Sequence, residues 1–259
     1  MPELPEVELY TRYFAQHALR QPIARVHVRD SRILGDVRDA AFVAALRGRT
    51  FREVRRHGKH LFADAGTTWL HLHFGMTGDL AYYRGAAEQP RFARVVFDFR
   101  NGAHLAYDDM RLFGVVDLAD SPDEFIAAHR LGVDALAMTL PQFRKLAAKK
   151  RGAAKALLMT QEAIAGVGNL YADEALYQAA IDPRRNVDRL DADDVARLFR
   201  TLRKILRETI ERKAHDRDYP PRYLVHRRET GAECPICGGS IRRATVFGRT
   251  TYFCSKHQR

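Results

Sequence analysis

Cysteine is scarce in this chain of 259 residues: there are three, Cys234, Cys237 and Cys254, all within the last 26 positions. An odd number of thiols confined to one short stretch argues against a disulfide framework and for a metal site. No apolar run approaches the roughly 20 residues needed to span a bilayer. The opening decapeptide MPELPEVELY carries acids and prolines where a secretory leader carries basic and then apolar residues, so a cytoplasmic protein without a membrane role is expected. Internal repeats and low-complexity tracts are also missing. Acidic residues are outnumbered, 32 Asp and Glu against 43 Lys and Arg, which leaves a formal net charge of +11. Such a surplus on a folded protein attracts polyanions, nucleic acid first among them. Hydrophobic residues make up 46% of the chain, enough for a real core and against disorder.

The first 130 residues read as short strands behind one helix. PEVELYTRYFAQHAL, residues 5–19, has Pro5 in a first turn and Val7, Tyr10, Phe14 and Leu19 near helical spacing. Strand-like alternation follows at 25–28, 49–54, 60–65, 68–74, 93–99, 103–107 and 114–118, punctuated by Gly, Asp or Asn. This pattern predicts a sandwich or barrel-like sheet. From about residue 131 helices take over. Thr139 and Pro141 mark one helix start. Residues 191–214 give the clearest helix, with Val195, Leu198, Phe199, Leu202, Ile205, Leu206 and Ile210 on one stripe and Asp191, Asp193 and Asp194 at the positive end of its dipole. Gly166-Val167-Gly168-Asn169 forms a turn between two earlier helices, a helix-turn-helix signal.

Cys234-x2-Cys237 and Cys254-x2-His257 are separated by 16 residues, which leaves room for a hairpin that brings the two pairs together. Three thiolates and one imidazole suit a closed tetrahedral site, hence one structural Zn2+ and no open position for hydrolytic chemistry. Arg242, Arg243 and Arg249 on that hairpin suit phosphate contacts. At the other end, removal of Met1 would leave Pro2 with a secondary amine. An α-amine titrates at about 7.7–8.0, far below the roughly 10.4 of lysine, so an appreciable share is neutral and nucleophilic near pH 7. Glu3 and Glu6 lie beside it in sequence. Taken alone, PELPEVE equally suits a plain helix entry.

PELPEVE at the N-terminus, HFGMTG at 73–78, DMRLFG at 109–114, GVGNLYADE at 166–174 and the terminal cysteine module occur in that order. Together they resemble the formamidopyrimidine-DNA glycosylase and endonuclease VIII family over essentially the whole chain. Leu4 places the resemblance with the formamidopyrimidine branch. It implies an α+β multidomain protein: an N-terminal β-sandwich with a helix over 1–130, a helical helix-two-turn-helix domain over 131–225 and a C-terminal zinc-finger β-hairpin over 226–259. It implies a monomeric enzyme on damaged double-stranded DNA that removes oxidised purines and then cuts the abasic strand. Pro2 would attack the sugar C1′, with Glu3 as the neighbouring acid/base and Glu6 supporting the helix start. Lys59 resembles a lysine that contacts phosphate near the lesion, and Lys155 one near the lesion site. Asn169 and Arg249 resemble the pair that grips the kinked backbone. Met76, Arg111 and Phe113 resemble the trio that fills the gap left by the extruded nucleotide.

Each residue also has a plainer reading. Met76 and Phe113 taken singly read as core. Arg111, Lys59 and Lys155 read as solvated charges, and Asn169 as a cap or turn residue. Three features depart from the pattern: His257 in place of the usual fourth Cys, Leu112 where purine-directed relatives carry a second Arg, and an atypical composition over residues 211–229, where relatives carry the loop that covers the flipped base. These leave an oxidised-pyrimidine or broad lesion preference open. The rival of another class is a non-catalytic zinc-ribbon DNA-binding protein.

Overall fold

A computed structural model of the chain describes residues 2–212 and 219–259. Met1, and with it the expected loss of that residue, lies outside the described residues, as does the middle of the atypical 211–229 segment. The chain divides into two compact units: residues 6–130 with Pro2, and residues 131–259 with Glu3–Pro5.

The first unit contains most of α1 (Leu4–Ala18) and two four-stranded antiparallel sheets. One sheet runs in the order β1 (Ile23–Val28), β6 (Ala93–Phe99), β7 (His104–Asp109), β5 (Gly78–Tyr83). The other runs β2 (Val54–His57), β3 (His60–Asp64), β4 (Trp69–His73), β8 (Val115–Ala119). Alternation places Leu61, Leu70, Leu72, Val95, Phe97, Leu105 and Val116 in one buried cluster with Phe14, Phe42 and Phe51. Edge-on ring pairs, Phe14 with Phe51 and Phe51 with Phe97, fill its centre. Two short helices, α2 (Asp39–Leu46) and α3 (Pro122–Ala128), complete the unit.

Two strand expectations need correction. Residues 49–54 are not one strand: Thr50 and Phe51 bridge to Pro22 and Leu19, and β2 starts only at Val54. Strand β5 escaped the periodicity reading because it is an edge strand opening with Gly78-Asp79 and pairs with β7 alone.

In the second unit, α4 (Leu140–Lys149) begins at a capping box in which the Thr139 hydroxyl and the Gln142 side chain serve each other's backbone N–H. Helices α5 (Ala154–Met159), α6 (Asn169–Gln178) and α7 (Ala192–Glu211) follow, with a two-residue parallel pairing between β9 (Val133–Asp134) and β10 (Ile164–Ala165). The expected stripe of α7 is buried, and Asp191 caps it by accepting from the Asp194 N–H at 2.7 Å. The hairpin β11 (Ile241–Val246) and β12 (Arg249–Cys254) closes the unit. Among the described residues no helix is long and apolar enough to cross a membrane.

Candidate functional site

In the first unit the HFGMTG and DMRLFG turns are organised by one buried carboxylate. Asp109, fully buried, accepts from the Thr77 hydroxyl at 2.5 Å, the Arg111 N–H at 3.1 Å and the Gly114 N–H at 2.8 Å. The two turns also approach too closely for side chains. A Cβ on Gly75 would meet the Phe113 carbonyl at 2.3 Å, and one on Gly114 would meet the Tyr107 hydroxyl at 1.8 Å. The Tyr107 hydroxyl instead donates to the His73 carbonyl at 2.8 Å. Held in this way, Met76 and Phe113 point outward, 41% and 53% exposed, rather than into the core as each would read alone. The Arg111 guanidinium lies 4.6 Å over the Phe113 ring. Leu112 adopts φ +56° and packs against the core. The three residues are thus brought together, and the residue that sequence reasoning missed is Asp109. Its signal was its place as the one acid in DMRLFG.

Within the second unit the start of α6 is the centre. Gly168 occupies the N-cap position and supplies no side-chain acceptor. The Glu3 carboxylate does so instead: it is buried and accepts from the N–H groups of Gly168 at 2.7 Å, Leu170 at 2.8 Å and Tyr171 at 3.4 Å. The next N–H along, that of Leu4, donates to the Gly166 carbonyl at 3.1 Å.

Lys155 is not a solvated charge. It is 0% exposed, and its ammonium lies 2.6 Å from Asp173, donating also to Asn169 Oδ1 at 2.7 Å and Thr251 Oγ1 at 2.6 Å. Burial pushes the Lys155 ammonium down and the Asp173 carboxyl up, each opposed by the charge of the other. Arg228 adds a second cation, 2.8 Å from Asp173. The network reaches the hairpin: Asn169 Nδ2 donates to the Thr250 carbonyl at 3.1 Å, and the Thr251 hydroxyl donates to the Arg249 carbonyl at 3.0 Å. Lys155 therefore fixes both Asn169 and the backbone that carries the exposed Arg249. Sequence reasoning missed Asp173, Thr251 and Arg228; only Asp173 left a trace, as an acid inside an otherwise helical motif.

The sulfur atoms of Cys234, Cys237 and Cys254 lie within 4.8 Å of one another. Tyr177 supports them with a hydroxyl 3.0 Å from the Cys234 sulfur. Three converging thiols suit a borderline-soft ion such as zinc. Among the described residues the group that meets this distance does not include a ring nitrogen of His257. Its Nε2 donates to the Tyr177 carbonyl at 2.8 Å, and this contact draws the ring.

The remaining predicted residues are placed less informatively. Lys59 sits in the tight turn joining β2 to β3, half-buried, and Glu6 in the first turn of α1. Pro2 is half-buried in the irregular segment before α1.

An exposed apolar and cationic loop on a β-sandwich, a helix-two-turn-helix centre and a thiol-bearing hairpin define a multidomain protein of the nucleic-acid-processing kind. Residues 1–116 match the family model of the formamidopyrimidine-DNA glycosylase N-terminal domain, and residues 131–218 that of the formamidopyrimidine-DNA glycosylase H2TH domain. The chain is 36% identical over 268 residues to the formamidopyrimidine-DNA glycosylase of Geobacter metallireducens, covering 100% of each. It is 34% identical over 275 residues to that of Pelotomaculum thermopropionicum, covering 100% of this chain and 99% of the relative. Its structure is similar to that of the Lactococcus lactis enzyme non-covalently bound to DNA containing an abasic site, with TM-score 0.88, 25% identity and 99% coverage of both chains. It is likewise similar to a MutM in complex with DNA containing carbocyclic 8-oxo-G, with TM-score 0.87, 25% identity and full coverage of both. The chain belongs to the formamidopyrimidine-DNA glycosylase family.

Proposed function

We propose that this protein is a bifunctional DNA glycosylase/AP lyase of base excision repair that excises oxidised purines, 8-oxoguanine and formamidopyrimidines, from double-stranded DNA. The observation that carries the reading is the anchoring of Glu3. Three backbone N–H groups at the α6 N-terminus hold the carboxylate of the residue that directly follows Pro2. A plain helix entry does not require that arrangement.

With Met1 removed, the Pro2 nitrogen attacks C1′ of the extruded nucleotide and the base departs, its leaving nitrogen taking up a proton. Glu3 is the acid/base beside this step. The Pro2 N–H proton is then lost and the C1′–O4′ bond opens, O4′ taking up a proton, and the resulting iminium acidifies C2′–H. Loss of that proton expels the 3′ phosphate, and a second elimination expels the 5′ phosphate. Met76, Arg111 and Phe113 fill the vacated space, the apolar side chains as wedge and the guanidinium toward the unpaired base. Lys59, Asn169 and Arg249 hold phosphates, and Lys155 acts by fixing the latter two. Glu6 supports the start of α1. One structural Zn2+ would be held by Cys234, Cys237 and Cys254. His257 would be the fourth donor, through Nδ1, since its Nε2–H is committed to a backbone carbonyl, the usual outer partner of a ligating imidazole. In this reading residues 1–130 are the catalytic domain, 131–225 the helix-two-turn-helix domain and 226–259 the zinc module of a monomeric cytoplasmic enzyme.

Borohydride trapping on duplexes containing 8-oxoguanine or an abasic site tests the proposal. A covalent adduct that maps to Pro2 and disappears in Pro2→Gly is expected. A protein lacking Met1 that binds such DNA yet traps on neither substrate overturns it and leaves a non-catalytic DNA-binding protein. A second reading, the same chemistry with an oxidised-pyrimidine or broad lesion preference, is favoured by Leu112, which packs against the core at the position where purine-directed relatives carry a second Arg. Rates on a lesion panel against the four opposing bases decide between them.

A further inference from the structure

The hairpin between β11 and β12 turns on two residues, Phe247 and Gly248, with φ of +52° and +67°. A two-residue hairpin loop with both central residues at positive φ is the type I′ arrangement, which Asn-Gly or Gly-Gly fills without strain. A bulky side chain in that first position is an outlier. This one is also 55% exposed, the most exposed of the large apolar side chains among the described residues. Both choices disfavour the free hairpin, and Asn or Gly would avoid both. Arg242, Arg243 and Arg249 stand exposed on the same two strands, so the tip is flanked by cations that attract a polyanion.

We propose that Phe247 is a DNA-binding residue, an apolar wedge that the hairpin presses onto the sugar–base edge of the duplex while the neighbouring arginines engage phosphate. Strained backbone conformations persist where function requires them, and apolar wedges of this type act in the minor groove. The proposal rests on the enzyme reading above and names a contact which that reading does not require.

The test measures affinity for a duplex with a stable abasic-site analogue at several salt concentrations, using the zinc-loaded full chain. Phe247→Asn is the main variant, because Asn suits the turn. It should keep or raise Tm, weaken binding about five- to twentyfold and leave the slope of log K against log salt unchanged, since no charge is lost. Phe247→Trp should restore affinity. Arg249→Ala should reduce the slope by about one charge. Phe247→Asn binding within twofold of wild type overturns the proposal, as does a lowered Tm with Phe247→Gly behaving likewise, which would make the ring a structural element. Wild-type protein that traps on Pro2 while Phe247→Asn binds normally removes this proposal alone. Failure of the wild type to bind or trap removes the enzyme reading.

Discussion

Lowering the pH from 7 to 5 should destabilise the first unit through its histidines. His60 on β3 stands opposite His73 on β4, and His71 lies two residues along the same strand face. His60 Nδ1 and His71 Nε2 are 2.9 Å apart, and Phe125 of α3 covers both rings, with centroids at 5.3 and 4.2 Å. Burial first, then the neighbouring imidazoles, pushes His60 down to about 2 and His71 down to about 3; burial and Lys59 push His73 down as well. The unfolded chain titrates at about 6.5. Because the folded values lie below that, the unfolded state binds the extra protons. Stability is therefore full above about 6.5 and is lost as pH falls toward 3. At pH 5 each imidazole contributes a loss of about 2 kcal/mol, the pair about 4 kcal/mol, set against a total stability of order 5–15 kcal/mol. Asp36 and Asp117 line the adjoining cavity of about 640 Å³ together with these rings and His129, and their charge favours protonation, so 4 kcal/mol is the upper value. Trp69, the one tryptophan of the chain, sits on β4 and reports this unit in urea titrations at pH 7, 6 and 5. His60→Gln with His71→Gln should flatten the dependence above pH 5. An imidazole resonance of either residue titrating near 6.5 in the folded protein, or equal pH slopes for wild type and the double variant, would refute the reasoning.

Lys155→Met should cost about 3–5 kcal/mol by leaving Asp173 buried with Arg228 alone, and the added Asp173→Leu should recover most of it; equal denaturation midpoints for wild type and the single variant contradict the geometry. Chelation of metal or Cys237→Ser should lower the Tm of the C-terminal module and weaken DNA binding, because metal binding and local folding are coupled; unchanged binding by metal-free protein counts against a structural ion. Glu3→Gln should slow base removal more than cutting of a preformed abasic site, and single-turnover rates showing equal losses would remove its acid/base role.

The parts of the chain that were legible in advance are those in which a local rule and the global fold agree. The three cysteines converge as thiol ligands of one ion would, the α7 stripe follows the helical period, and Thr139 with Gln142 follows the capping rule. The same logic explains the misreadings. Strand β5 is an edge strand with a glycine start, so alternation is weak there. Met76 and Phe113 carry apolar side chains whose outward placement is decided by Asp109, more than 30 residues from Met76. Lys155 lies 18 residues from Asp173 in sequence and 2.6 Å away in space, so no window of local sequence shows that its charge is balanced. His257 has the spacing of a ligand, and its ring orientation is set by Tyr177, 80 residues upstream, which no local window shows.

The start of α6 explains why distant segments of the chain must agree. A helix presents four N–H groups without intrahelical partners, and a local Ser, Asp or Asn at the N-cap ordinarily takes one or two of them. Gly168 takes none, so the donors of Gly168, Leu170 and Tyr171 remain for Glu3, 165 residues upstream of Gly168. One residue further on, Asn169 spends its side chain on Lys155 and on the Thr250 carbonyl rather than on its own helix. The lack of a local cap is thus what allows one helix terminus to hold both the segment that follows Pro2 and the strand that carries Arg249. A serine at position 168 would satisfy the helix by itself and leave the Glu3 carboxylate in competition for its own donors.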